Sequence, residues 1–450
     1  MNDKFSILIN KKLKKYNKKI TVDPDKSITH RCYIIASQCL GISKILGLES
    51  EDIKSTISAL KKLGIKIIKK NKINYIYGMG ISGFKKFNGT IDFKNSGTSA
   101  RSFLGILTCF PHQVKVAGDS SLKLRPFKRL TVYLERIGAN IIHPKNKKYS
   151  LPIKIYGTKN WALAQKHHVK IKSAQISSAI IYAALQTKGI TEVVESSETR
   201  DHLQRLLKSL KADISIKENK GKRITKIRGQ KEMNNFSIKV PADPSSACFF
   251  VVQTLLIRKS SLLIKNVCIN ETRIGFLHIL KKMGGKINIL NKKEYFGEPV
   301  ADLFVRSSTL KGIKIPTKWI TKSIDELVVI CIACGLAKGQ SYFRAPELLL
   351  KESNRIKAMS DSLNKLGIKT KIIKKDALKI YGNSNIKINP KKLIKISSNL
   401  DHRVAMANFI AGQITGAKIL IKGFETVSSS FPNFLRFQKQ IGAKYEIKKN

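Results

Sequence analysis

No stretch of the 450 residues approaches the ~20 consecutive apolar residues that cross a bilayer. The longest apolar run, Leu327 to Ala337, reads instead as a buried helix. Met1 to Lys19 is Lys-rich but has no apolar stretch before a cleavage site, so it is not a signal peptide. It also lacks the Arg- and Ser-rich, acid-free character of a transit peptide, and the cytoplasm is the expected compartment. Cysteine is sparse and odd in number, seven in all, and scattered through apolar segments, which fits a reducing compartment. The one C-x-x-C, Cys331 and Cys334, lies inside the apolar run. With no second pair and no clustered His, a core reading is preferred to a tetrahedral metal site. Neither metal nor cofactor is expected.

Acidic residues are also few. Against 85 Lys and Arg stand 30 Asp and Glu, a formal charge of +55. Such an excess suits a polyanion-binding surface. It equally suits compositional drift in a chain rich in Lys, Ile and Asn, and the lysines are spread along its whole length. There are no aromatic-interleaved basic tracts and no zinc-finger or RNA-recognition signature. Nucleic acid and membrane are therefore not the expected partners, although an anionic substrate would suit a basic cleft.

Hydrophobic residues make up 42% of the chain, enough for a globular protein, and the length calls for two domains. The clearest positive feature is repetition. A helix end followed by Gly and a strand start recurs at Lys61-Lys62-Leu63-Gly64, Glu135-Arg136-Ile137-Gly138, Lys208-Ser209-Leu210-Lys211, Lys281-Lys282-Met283-Gly284, Asn364-Lys365-Leu366-Gly367 and Lys439-Gln440-Ile441-Gly442. The apolar anchors lie 73 to 83 residues apart, and six such units nearly fill the chain. Gly supplies the left-handed position that ends a helix, and Lys or Arg in the last turn suits the helix dipole. Lys211 replaces Gly in the third copy, so that cap must differ. The period fits a small α/β unit whose helices are amphipathic, as Ile356, Met359, Leu363 and Leu366 show by sharing one face.

Polar clusters that a core does not need stand at helix starts. They are Asp25-Lys26-Ser27-Ile28-Thr29-His30-Arg31, Asn95 to Arg101, Lys172-Ser173-Ala174-Gln175, Lys351-Glu352-Ser353-Asn354-Arg355 and Asp401-His402-Arg403. Each puts Ser, Thr, Asn or Asp where an N-cap belongs, with a cation beside it. Free backbone N–H groups and the positive dipole end make such starts natural anion sites, and Arg adds a bidentate fork. Five of them point to a substrate rich in phosphate and carboxylate.

In this order these residues resemble the enolpyruvyl transferases, and among them the 5-enolpyruvylshikimate-3-phosphate synthases. The family's K-S-x-S/T-x-R motif is matched by Lys26 to Arg31, its N-[AS]-G-T-x-x-R by Asn95 to Arg101, and its L-x-x-R-P-M by Leu122 to Phe127. The S-[AS]-Q element is Ser173 to Gln175, S/T-R-D-H is Thr199 to His202, and Asp243 to Phe249 resembles the D-x-S-S-A-x-F hinge. Further elements stand at Ile324-Asp325-Glu326, Lys351 to Arg355, Asp401 to Arg403 and Ser430-Phe431-Pro432. The resemblance implies an α/β fold of two domains, each with three βαβαββ units about a pseudo-threefold axis. Residues 1–24 with 243–450 would form one domain and 25–242 the other, with substrates bound as the domains close on the cleft.

It further implies transfer of the enolpyruvyl group of phosphoenolpyruvate to the 5-hydroxyl of shikimate 3-phosphate by addition and elimination. An alcohol needs a general base and an enol carbon a positioned acid, and carboxylates near cations suit such divided roles. By resemblance Asp325 is the proton acceptor, with Glu352 and Lys26 serving the other transfers. Lys26, Ser27, Arg31, Ser173, Ala174 (through its backbone), Gln175, Arg200, Asp325 and Lys351 are assigned to shikimate 3-phosphate. Lys26, Gly97, Arg125, Gln175, Arg355 and Arg403 are assigned to phosphoenolpyruvate, with cations meeting the charge and no metal required. The expected enzyme is monomeric. Gly97, where an Ala side chain would crowd the pocket, predicts sensitivity to glyphosate.

Three positions depart from the family pattern: Asp23-Pro24 replaces Pro-Gly, Asn354 replaces Asp, and Ser429 stands where some members have Lys. A sister family acting on UDP-N-acetylglucosamine usually carries Lys-Asn in its opening motif and a Cys in a mobile loop. Here the opening reads Lys26-Ser27, and Asp119 to Arg125 has no Cys. A basic nucleic-acid-binding protein on a degenerate transferase fold would show steep salt dependence and no turnover.

Overall fold

The computed structural model describes residues 4–146, 148–158 and 162–449. The chain divides into two compact units, one of Met1–Asp23, Pro241–Glu294 and Pro299–Asn450, the other of Pro24–Val240 with Tyr295–Glu298. The first unit is thus interrupted after Asp23 by almost the whole of the second. Tyr295–Glu298 is the tip of the hairpin formed by strands Lys286–Tyr295 and Glu298–Arg306. The chain leaves the first unit at the Asp23-Pro24 step and re-enters it between Val240 and Pro241, just before a second Asp-Pro step, Asp243-Pro244.

Among the described residues, six small sheets hold the strands. In the second unit, strand Gly89–Asp92 runs parallel to Gln113–Ala117, which pairs antiparallel with Ile153–Tyr156, which pairs antiparallel with Asn140–Ile142. The same parallel–antiparallel–antiparallel order recurs across Lys166–His168, Ile190–Ser196, Lys222–Arg228 and Ile214–Asn219. It recurs again across Ser237–Lys239, Leu40–Leu46, Ile73–Met79 and Lys66–Lys70. In the first unit the sheet of Ile394–Ser397, Ile419–Lys422, Phe5–Ile9 and Glu446–Lys449 repeats it. In the sheet of Gly339–Arg344, Ala377–Gly382 and Thr370–Ile373, the parallel member shrinks to isolated bridges at Lys311 and Lys314.

Helices of two kinds join these strands. Amphipathic ones cover the sheets: in Arg355–Lys365 the residues Ile356, Met359 and Leu363, with Leu366 just beyond, are all buried. Burying each contributes about 1.5–3 kcal/mol. The second kind is buried nearly all round, its polar residues included, and so is enclosed on every side. Gly97–Leu107 and Ala174–Gln186 pack together in the second unit, with Lys26–Ser37 against the first of them. Pro244–Leu256, Leu327–Gly335 and His402–Thr415 pack together in the first. Cys331 and Cys334 lie within that first-unit core, where burial pushes both thiols up, Cys334 to about 11. Among the described residues no helix is long and apolar enough to cross a membrane.

All six helix ends picked out by the repeat turn in the same way. Gly64, Gly138, Gly284, Gly367 and Gly442 have φ between +85° and +125°. In each, the next residue's N–H reaches back to the last helical turn, as Ile65 does to Leu60 and Ala139 to Leu134. The expectation that the third copy must differ is corrected here. Lys211 itself takes φ +55°, and Ala212 N–H still bonds the Leu207 carbonyl. The backbone turn is kept, and the strain of a left-handed lysine is accepted.

Candidate active site

The polar motifs sit at or beside helix starts, where the first backbone donors have no partner within the helix. In the second unit Asp25 caps Lys26–Ser37, its carboxylate accepting from Ile28 N–H at 2.8 Å. Lys26 and Ser27 are the first two helical residues. Lys26 Nζ meets Asp52 Oδ2 at 2.7 Å, an acid in the first turn of helix Glu51–Lys62. One turn on, the buried Arg31 donates to the Ser27 carbonyl at 2.8 Å and to Ser178 Oγ at 3.1 Å, which ties this helix to Ala174–Gln186.

Gly97 opens helix Gly97–Leu107, capped by Ser96. A Cβ at Gly97 would lie 2.7 Å from Arg101 Nη1 and 3.0 Å from Arg125 Nη1, so a methyl group there would displace both guanidinium groups. Arg125 donates to Asn95 Oδ1 at 2.8 Å, and Asn95 in turn donates to Asp119 at 2.8 Å. Ser173 precedes helix Ala174–Gln186, which places Ala174 and Gln175 in its first turn. Gln175 is held on both sides, accepting from Arg101 Nη1 at 3.0 Å and donating to Thr98 Oγ1 at 3.1 Å. Underneath, His30 Nδ1, Thr56 Oγ1, Ser99 Oγ and Ser96 Oγ form a buried chain of contacts between 2.7 and 2.8 Å. Burial foremost, then Lys26 and Arg31, hold the His30 imidazole well below its ordinary pKa, so it serves this chain as a neutral ring. Arg200 lies on the turn after strand Ile190–Ser196, between Thr199 and Asp201.

The first unit gathers Asp325, Lys351, Glu352, Arg355 and Arg403. Arg355 is only 1% exposed at its side chain and is engaged on every side. Its Nε donates to Asp401 Oδ2 at 2.8 Å, Nη2 to Glu352 Oε2 at 2.6 Å, and Nη1 to Asp325 Oδ1 at 3.3 Å. Burial pulls its pKa down, but the charges of Asp401, Glu352 and Asp325 outweigh that and hold it above its ordinary value. Asp325 also meets Lys351 Nζ at 3.4 Å and Arg403 Nη2 at 3.9 Å. Its backbone carbonyl accepts from Arg403 Nη1 at 3.2 Å. Asn354 caps helix Arg355–Lys365, accepting from Lys357 N–H at 3.1 Å, while Asp401 orients the guanidinium. Ser429 closes a short helical turn onto the Thr426 carbonyl at 2.7 Å.

Four engaged side chains carried no assignment from sequence. Asp52 had no signal, since an acid in a first helical turn is ordinary. Asp401 and Arg101 stand inside quoted motifs, and their motif positions were the only hint. Glu326 is fully buried beside Asp325 and accepts from Ser245 Oγ, which also accepts from Arg273 at 3.0 Å. A separate cavity of about 390 Å³ lined by Lys314, Gln340, Ser341, Tyr342, Ile373 and Lys379 includes none of these residues.

Together the two sets present carboxylates held by cations, and helix starts furnished with Lys, Arg, Ser and Gln. That inventory suits proton transfer on a substrate bearing phosphate and carboxylate groups. The model of one family, described as EPSP synthase (3-phosphoshikimate 1-carboxyvinyltransferase), matches residues 10–437. The 3-phosphoshikimate 1-carboxyvinyltransferase of Zymomonas mobilis is 37% identical over 444 residues, covering 98% of this chain and 97% of its own. That of Petrotoga mobilis is 41% identical over 430 residues, covering 94% and 97%. A solved EPSP synthase of Acinetobacter baumannii superposes with a TM-score of 0.84 at 33% identity, covering 99% of this chain and 100% of that one. An enolpyruvyl transferase of Streptomyces tendae shares the fold, with a TM-score of 0.76 at 10% identity and coverage of 99% and 100%.

Proposed function

The chain belongs to the EPSP synthase family and transfers the enolpyruvyl group of phosphoenolpyruvate to shikimate 3-phosphate, and we propose that Asp325, Glu352 and Lys26 serve its proton transfers. In the addition, the 5-hydroxyl oxygen bonds to C2 of phosphoenolpyruvate, its proton leaves, and C3 gains one. In the elimination, C3 gives up a proton and the C2–O bond to phosphate breaks. Asp325 takes the hydroxyl proton; Glu352 and Lys26 serve the remaining transfers.

The observation that carries this reading is the single carboxylate of Asp325 standing against Lys351, Arg355 and Arg403. Those cations keep its oxygens fixed, and the same Arg355 holds Glu352 at 2.6 Å. Base and second acid are thus fastened to one buried guanidinium. Arg355, Arg403, Arg125, Gly97, Gln175 and Lys26 are assigned to the phosphate and carboxylate of phosphoenolpyruvate. Ser27, Arg31, Ser173, Ala174, Arg200 and Lys351, with Lys26, Gln175 and Asp325, are assigned to shikimate 3-phosphate. The seven cysteines are thiols, six of them buried, which suits the reducing cytoplasm.

The test is phosphate release by the purified protein with both substrates and with each omitted, beside Asp325→Asn. Release that needs both substrates, and falls about 10²–10⁴-fold in the variant, is expected. A variant that turns over at the parental rate would remove Asp325 from the base role.

A further inference from the structure

A buried polar knot in the second unit has no role in the chemistry above. Glu195 is 2% exposed and lies on strand Ile190–Ser196, directly opposite Arg223, also 2% exposed, on strand Lys222–Arg228. Four groups converge on its carboxylate. Ser177 Oγ and Thr199 Oγ1 donate to Oε2 at 2.6 and 2.7 Å, and Gln204 Nε2 donates to Oε1 at 2.8 Å. Arg223 Nη1 stands 3.7 Å from Oε1. Arg223 Nε donates to Glu218 Oε1 at 3.0 Å, and its other two nitrogens hold the following turn: Nη1 bonds the Thr199 carbonyl at 2.9 Å and Nη2 the Ser197 carbonyl at 2.8 Å. Its Nη2 also lies 3.8 Å from Asp201 Oδ2. The residues on both sides of Arg200 are therefore fastened, while Arg200 itself remains partly exposed. Ser177, on the other side of Glu195, belongs to the first turn of the helix that Ser173, Ala174 and Gln175 begin.

We infer that Glu195, working with Arg223, is a positioning residue for shikimate 3-phosphate, locking the Arg200 turn and the Ser173–Gln175 helix start into one register. A buried ion pair is a poor way to gain stability, because apolar residues of similar volume usually do as well or better. Its distinctive yield is geometry: a carboxylate that accepts from three side chains and faces a guanidinium fixes the segments that supply them. Burial raises the Glu195 pKa and the donated hydrogen bonds oppose that rise, consistent with donors arranged around an anion. The inference rests on the assignment of Arg200 and Ser173–Gln175 to shikimate 3-phosphate.

Calorimetric titration of shikimate 3-phosphate into the full chain tests it, using the parent, Glu195→Gln, Arg200→Ala and the double variant, each checked for folding by circular dichroism. Failure of the parent or of Arg200→Ala to behave as assigned, with no binding or no loss respectively, would overturn the substrate assignment beneath the inference. Given that assignment, Glu195→Gln is expected to weaken binding about tenfold, with KM for shikimate 3-phosphate rising alike and KM for phosphoenolpyruvate, which Glu195 reaches only through Gln175, rising less. The loss should largely vanish in the Arg200→Ala background, because the two act through one another. Unchanged binding in folded Glu195→Gln, or a full additive loss in the double variant, overturns the positioning role. Should Glu195→Gln fail to fold, Ser177→Ala decides instead: weaker binding supports the role and parental binding overturns it.

Discussion

Arg355 and His167 are opposite outcomes of burying a polar side chain. The guanidinium of Arg355 is answered by three carboxylates. His167, on strand Lys166–His168, is fully buried, and neither ring nitrogen has a hydrogen-bond partner among the described residues. Its nearest aromatic neighbour, Tyr133, stands edge-on at 6.2 Å. Burial first, and Arg136 second, lower its pKa to about 4. An unfolded histidine titrates near ~6.5, so below that pH the unfolded chain binds a proton that the folded chain refuses. The stability that belongs to the neutral ring is complete above about pH 6.5 and drains away as pH falls toward about 4. His167→Leu removes both the unmet nitrogens and the titration. Its urea midpoint should exceed the parent's, by more at about pH 5 than at about pH 7.5; an equal gap at both would exclude this histidine from the acid loss. The sequence made the motif residues legible because each combines a cap with a cation. It could not show Asp52 beside Lys26 or Asp401 on Arg355, since those pairs are made by segments far apart in the chain.

At the scale of elements, the repeat was legible because a left-handed turn leaves a trace in residue type. Five of the six turns carry Gly. The sixth shows the limit of that trace, for Lys211 keeps the turn without the residue that favours it. Lys211→Gly should raise stability by about 0.5–1 kcal/mol, read as a shift in denaturant midpoint with an unchanged slope. A loss of stability would mean that lysine contributes something the backbone angle does not reveal. The sheets were less legible than the helix ends. Phe5–Ile9 completes a sheet whose other strands begin at Ile394, and Ser237–Lys239 lies parallel to Leu40–Leu46. Strand composition gives no sign of a partner hundreds of residues away, because pairing is set by the whole sheet and not by local preference.

At the scale of the molecule, the excess of 55 positive charges suits anionic substrates drawn in by long-range attraction, and the lysines that supply it are mostly solvated. The division of the chain has a chemical corollary of another kind. An aspartyl carboxyl can attack its own carbonyl, and the tertiary amide of a following proline makes the departing nitrogen unusually easy to protonate. This chain has two Asp-Pro bonds, Asp23-Pro24 and Asp243-Pro244, one where the chain leaves the first unit and one just past Val240, where it first returns. Warm dilute acid under unfolding conditions should therefore cut it into residues 1–23, 24–243 and 244–450, read by mass spectrometry. Dominant scission elsewhere would contradict this. The middle fragment would carry nearly all of the second unit but not Tyr295–Glu298, so the fully buried His202 would have lost Glu298, its partner at 2.6 Å. A scissile map drawn from covalent chemistry thus runs almost, but not quite, along the seams of the folded protein, and the released piece would leave behind the last few residues of its own unit, the carboxylate that meets His202 among them.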